Sequence, residues 1–140
     1  MQDVIAVSLV GVLTIFRTSG TRPLVTGWLD VMKLTHPKTL VVAEDVWRGK
    51  PDPSCYLLGR SRLNLPETAS ILVLEDSPAG VRAGKAAGFR VVGLHTTHAI
   101  DQLQEAGADW IVQDMRSVKL VDWDKTTRKA RLQITGALLQ

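Results

Sequence analysis

The sequence predicts an α/β fold: a three-layer, Rossmann-like parallel sheet with helices on both faces, extended by a C-terminal β-hairpin. Three observations carry this. Short apolar runs recur at residues 13–16, 40–43, 70–74, 90–94 and 110–112. The segments between them have helical spacing, and strands alternating with helices of this length mean βαβ units and a parallel sheet. Past residue 118 the pattern becomes two alternating strands around a polar turn, which is hairpin patterning.

In chain order, the apolar stretch at residues 4–16 comes first. It is shorter than the roughly 20 apolar residues a bilayer span needs. Its acidic start, Met1-Gln2-Asp3, is unlike a signal peptide, so a buried strand is expected. Residues 23–34 begin with proline and space Leu24, Trp28, Val31 and Met32 on one face, an amphipathic helix. A strand at residues 40–43 follows, and Asp52-Pro53 then opens a helix through Tyr56, Leu57 and Arg60. After the strand at 70–74 comes a small-residue helix at 79–87 closed by Gly88. The strand at 90–94, a helix at 100–106 closed by Gly107, and the strand at 110–112 complete the alternation. In the hairpin, Lys125, Arg128, Lys129 and Arg131 alternate with Ala130, Leu132 and Ile134, so the charges read as one solvated face.

A chain of 140 residues, 45% of them hydrophobic, is long enough for one compact domain with a real core. Within it, residues 1–17 form an N-terminal strand segment, 18–118 the core, and 119–140 the hairpin and tail. A net charge of +3, spread along the chain, is no footprint for nucleic acid and suits a small anionic partner. No membrane segment is expected. The lone Cys55 excludes an intrachain disulfide and points to a reducing, cytoplasmic setting, where it serves as a small core residue. His36, His95 and His98 show no zinc-type spacing with Cys55, and no G-x-G-x-x-G follows a strand. Trp28, Trp110 and Trp123 read as core or hairpin-packing residues, and Trp47, beside Arg48, as a residue near a substrate.

The chemistry-bearing residues follow the strand-like runs. Ligands of an open parallel sheet bind outside the carboxyl ends of its strands. There Ser19, Gly20 and Thr21 offer hydroxyls and backbone N–H donors to a phosphate. Lys50, between Gly49 and Pro51, offers a point charge. Glu75 and Asp76 are hard oxygen ligands of the kind Mg²⁺ takes. Each motif also has a structural reading: a Ser-Gly-Thr turn caps a helix, Gly-Lys-Pro is common loop chemistry, and paired acids open a helix at the positive end of its dipole. Their order and spacing together favour a phosphate site.

At these residues the chain resembles the haloacid dehalogenase superfamily of phosphatases, most closely the fungal-type branch acting on glycerol 3-phosphate and 2-deoxyglucose 6-phosphate. The likeness runs from about Thr18 onward and rests on TSGTRPL at 18–24, EDVWRGKPDPSCYLLGR at 44–60, VLEDSPAGVRAGKAAG at 73–88 and VVGLHTT at 91–97. The resemblance implies that Ser19 and Lys50 are catalytic, that Ser19, Gly20, Thr21 and Lys50 bind phosphate, and that Glu75 and Asp76 bind Mg²⁺. It implies a small phosphorylated metabolite, a sugar or polyol phosphate, as substrate.

The departure lies at the start. Family members open with a strand ending in Asp-x-Asp, the first aspartate attacking phosphorus and the second serving as general acid/base, followed by an inserted helical cap; neither precedes Ser19 here. Two readings stay open for the segment. Residues 7–13 have the outline of a degenerate first motif with Ser8 and Val10 at the aspartate positions, or residues 12–17 are simply the strand feeding Ser19. Both leave an incomplete core without a nucleophile. Three functions fit: a phosphatase core inactive alone, a phosphate- and metal-binding pseudoenzyme, or a truncated gene product without function.

Overall fold

The computed structural model describes residues 7–10, 16–17, 21–37, 39–127 and 129–138. Its elements run β1 (Val7–Val10), β2 (Phe16–Arg17), α1 (Arg22–Val31), β3 (Leu40–Val41), a 3₁₀ turn at Ala43–Asp45 and α2 (Ser54–Arg62). These continue into β4 (Leu72–Glu75), α3 (Pro78–Ala86), β5 (Arg90–Leu94), α4 (Ile100–Glu105), β6 (Trp110–Val112) and a second 3₁₀ turn at Met115–Ser117. The chain ends in β7 (Val118–Asp124) and β8 (Lys129–Ile134).

The alternation expected from the sequence is present, and all the strands expected to be parallel are parallel: β2 beside β3, and β4-β5-β6 in that order. Among the described residues they form two separate parallel sheets, where one was expected. A shared core joins them, since Val41 of β3 belongs to the same buried cluster as Val73, Val91, Leu103 and Ile111. Leu103, Val91 and Ile111 are wholly buried. Each such side chain contributes roughly 1.5–3 kcal/mol through the apolar surface it removes from water. Gly88 ends α3 at φ +81°, a backbone conformation that costs a residue with a Cβ but not glycine.

The terminal segments differ from expectation. β7 and β8 form the hairpin, and β1 adds to it antiparallel, with Ser8 opposite Arg131. The described part of the segment with the outline of a first motif, Val7–Val10, is therefore an edge strand of an antiparallel sheet, outside both parallel sheets, and residues 11–13 of it lie outside the described residues. Alternation alone does not distinguish these placements, because apolar runs serve both kinds of strand. The hairpin docks through Ile134, which is buried with Val92 and Val112. Ala130 is buried while Lys129 and Arg131 are exposed, as the alternation predicted.

Helix α1 is also turned from its expected orientation. Val25 and Leu29 are its buried residues, packed with Val42 and Leu40. Leu24, Trp28, Val31 and Met32, expected on the core face, are exposed, Trp28 by 58%. Both sets have helical spacing, and the helix's neighbours decide which is covered. Trp28 is thus no core residue, whereas Trp110 packs against the second cluster and Trp123 is half-buried. Cys55 is wholly buried, its Sγ 3.9 Å from the Asp52 carbonyl oxygen, and no helix among the described residues is long and apolar enough to cross a membrane.

Candidate functional site

β4 ends in two carboxylates with different surroundings. Glu75 is only 6% exposed, the one buried charged residue in the described core. Its Oε1 accepts hydrogen bonds from both the Lys50 ammonium and the Tyr56 hydroxyl. Its Oε2 accepts from Ser77 Oγ at 3.3 Å, and Ser77 Oγ in turn accepts from the Gly80 N–H at 3.1 Å, capping α3. A charge this far from water is tolerable only when paired and hydrogen-bonded. Lys50 pairs it, Tyr56 and Ser77 add donors, and the positive end of α3 favours the carboxylate.

The loop between β3 and α2 brings Lys50 to this point. Its side chain is 13% exposed, and its Nζ lies 5.9 Å from the centre of the Tyr56 ring. The start of α2 is held by Asp52, whose Oδ1 accepts from the Ser54 N–H at 2.9 Å and from the Ser54 hydroxyl. Those two bonds lower the Asp52 pKa. With α2 anchored there, Cys55 and Tyr56 face the core.

Asp76 is half-buried and belongs to a second loop. Thr97 Oγ1 donates to its Oδ2 at 2.8 Å, and His98 Nδ1 lies 3.1 Å from its backbone carbonyl, which requires the proton to be on Nδ1 for that bond. His95 Nδ1 lies 2.8 Å from the His98 carbonyl oxygen, so the loop after β5 is folded against Asp76. The sequence gives these histidines no zinc-type spacing and no other sign of this contact. Nor does it single out Tyr56, which stands six residues after Lys50 inside an apolar run.

The third expected part is placed only in fragment. Ser19 and Gly20 lie outside the described residues. Thr21 is exposed just ahead of α1 and has no described contact with Lys50, Glu75 or Asp76. The start of α1 is instead fastened to the 3₁₀ turn: the Arg22 N–H donates to both oxygens of Glu44 at 3.0 and 3.2 Å. Asp45 receives Arg62 at 3.0 Å, the Val42 N–H at 2.8 Å and Arg22 at 3.1 Å. The Arg62 guanidinium, ahead of the other partners, holds the Asp45 carboxyl down at about 2. Trp47, fully exposed in the Lys50 loop, has nothing packed on it that would identify it as a substrate contact.

The implied Mg²⁺ can be tested against the donors present. Mg²⁺ prefers an octahedral shell of hard oxygens, commonly one or two carboxylates completed by waters and phosphate. Among the described residues no group of three or more His, Cys, Asp or Glu side chains could hold a metal ion. Asp76 is a suitable oxygen donor. Glu75, expected beside it as a ligand, is committed to Lys50 and Tyr56, and a cation would compete with the ammonium for the same carboxylate. Of the two expected ligands, Asp76 alone has a carboxylate without a cationic partner among the described contacts, and its Oδ2 already accepts from Thr97.

Comparison with known proteins identifies the family. The haloacid dehalogenase-like hydrolase family model matches residues 12–94. The chain belongs to that family. It is 40% identical over 121 residues to glycerol-1-phosphate phosphohydrolase 1 of Saccharomyces cerevisiae, covering 82% of this chain and 48% of that protein. It is 34% identical over 112 residues to 2-deoxyglucose-6-phosphate phosphatase 2 of the same organism, covering 74% of this chain and 46% of that one. A haloacid dehalogenase family hydrolase of Deinococcus radiodurans, solved with bound phosphate and sodium, superposes with a TM-score of 0.66 at 25% identity, covering 73% of this chain and 48% of that one. This haloacid dehalogenase-like chain thus spans about half the length of the curated relatives it matches, with the described part of the site in the shared half.

Proposed function

We propose that this chain is the phosphate-binding part of a sugar- or polyol-phosphate monoesterase core, unable to complete hydrolysis by itself. The observation that carries the reading is the convergence of Lys50, Glu75 and Asp76, from segments 25 residues apart in sequence, at the carboxyl end of β4. Lys50 supplies the positive charge for a phosphate, with hydroxyl and N–H donors from Ser19, Gly20 and Thr21. Mg²⁺ resting on Asp76 would neutralise charge on the phosphoryl oxygens. Residues 4–29 contain no aspartate, and the proposal therefore takes the family's covalent nucleophile to be missing from this segment. The names of the yeast relatives support a small phosphorylated polyol or sugar as the ligand class, and the setting proposed for it is the cytoplasm.

The retained Lys50 pair without a nucleophile also supports the pseudoenzyme reading, in which the chain binds phosphate or a phosphorylated metabolite without turnover. Both readings require phosphate to bind at Lys50. Titrating inorganic phosphate against the wild type and Lys50→Ala, with and without Mg²⁺, tests this. Binding weakened about tenfold in the variant, as expected for losing a charged hydrogen bond, supports the site. Equal affinity in two folded proteins makes Lys50 a loop residue and removes the proposal. A chain that does not fold stably favours the reading without function.

A further inference from the structure

We infer that Tyr56 is a positioning residue for Lys50, acting through Glu75. The inference rests on the phosphate reading for its purpose, but its geometry stands independently. The Tyr56 hydroxyl and the Lys50 ammonium donate to the same oxygen, Glu75 Oε1. All three side chains are shielded: Tyr56 is 8% exposed, Glu75 6%, and the Lys50 side chain 13%.

The other support of the carboxylate is weaker. Ser77 reaches Oε2 at 3.3 Å while also accepting the Gly80 N–H. Glu75 has rotatable bonds between its backbone and its carboxylate, so a strand-end glutamate alone does not aim a carboxylate. The phenol does, because it comes from a different element, α2, whose start is anchored by Asp52. A rigid aromatic on a helix thereby orients a flexible acid on a strand, and the acid holds a flexible lysine from a loop. The ring adds a direct effect, with Nζ 5.9 Å from its centroid, within range of a cation–π attraction.

A phenylalanine at this position would keep the ring and the cation–π term, and would remove the hydroxyl that donates to Glu75. The consequence is specific: Lys50 becomes less well held while the core stays filled.

The test is the rate at which Lys50 is acylated by a small amine-reactive ester, mapped by mass spectrometry in the absence of phosphate. Lys85, in the last turn of α3 and paired with Asp109 at 2.8 Å, serves as the internal control. Tyr56→Phe is expected to raise the Lys50 rate roughly three- to tenfold, the range set by the loss of one hydrogen bond, and to leave the Lys85 rate unchanged. In a Glu75→Gln background the same substitution is expected to add little, because its effect runs through that carboxylate. An unchanged or slower Lys50 rate in Tyr56→Phe overturns the inference, as does a parallel rise at Lys85 or a full effect persisting in Glu75→Gln. Phosphate titration of the same proteins separates the two proposals. A wild type that ignores phosphate but shows the Lys50-specific response loses the functional reading and keeps this one. Phosphate binding without that response does the reverse.

Discussion

Gly80 lies directly against the carboxylate of Glu75: a Cβ at Gly80 would overlap both Oε2 and Cδ of Glu75. The first turn of α3 therefore accommodates the buried acid only because position 80 has no side chain. The same acid is tied to Lys50, Tyr56 and Ser77, so it cannot move aside without giving up those bonds.

Gly80→Ala is accordingly expected to destabilise the protein. Overpacking typically costs about 1–3 kcal/mol, partly offset by the better helix propensity of alanine, worth about 1 kcal/mol. Gly27→Ala in α1 provides the contrast, since nothing lies within 4 Å of a Cβ there. It is expected to be neutral or stabilising by up to about 1 kcal/mol. Urea denaturation of the two variants checks the difference, and a stabilised Gly80→Ala would mean that Glu75 is not held where the structure places it.

The orientation of α1 gives a second test. Leu29 is 1% exposed and Trp28 58%. Leu29→Ala is expected to cost about 2–5 kcal/mol through lost burial and a residual cavity. Trp28→Gln is expected to stay within about 0.5 kcal/mol, as surface substitutions do. Thermal melts of both proteins decide it, and the reverse order would restore the orientation expected from the sequence.

Asp45 sets an acid limit on the fold. Its pKa is about 2 when folded, lowered chiefly by the Arg62 hydrogen bond, against about 3.9 for an unperturbed aspartate. A lowered folded value means that the unfolded state binds the proton more readily. The stabilisation is therefore complete above about pH 4 and is lost as pH falls through about 2. The Asp45 side chain is 15% exposed but its partners Arg22 and Arg62 are 49% and 34% exposed, so solvent screening reduces the effect to about 1–2 kcal/mol. Asp45→Asn is expected to be less stable than wild type at pH 7, with the gap closing between pH 4 and 2. A gap independent of pH in denaturation curves would count against the ionic origin.

Which parts of this structure were legible in the sequence follows from how local their causes are. The stretch from β4 to β6 could be read because each element has its own signal, a β-branched run or a small-residue helix with glycine after it. The meeting of Lys50 with Glu75 was also legible, from the rule that loops at strand ends converge. Helix α1 was not, because Leu24 and Trp28 share one helical face while Val25 and Leu29 share another, and only Val42 and Leu40 decide between them. Likewise Val7–Val10 has the residues of a parallel strand, and its antiparallel partner β8 lies over a hundred positions away. Tyr56 was hidden for a different reason: among Cys55, Leu57 and Leu58 an aromatic reads as core filling, and its hydroxyl becomes informative only once Glu75 is seen beside it.

The last prediction concerns turnover. The 140-residue chain is expected to show negligible Mg²⁺-dependent hydrolysis of p-nitrophenyl phosphate. General acid/base help alone is worth about 10²–10⁴-fold, and the covalent route also requires an activated nucleophile. Ser8 is on β1, which pairs antiparallel with β8 and belongs to neither parallel sheet. On the proposed reading phosphate binding and catalysis separate: the first would depend on Lys50, which is hydrogen-bonded to the buried Glu75, and the second on an aspartate of the family's first motif, which residues 4–29 do not contain. A robust rate in the wild type, abolished by Asp76→Ala in a protein that still melts cooperatively, would show that a nucleophile is present and would make the chain an enzyme in its own right.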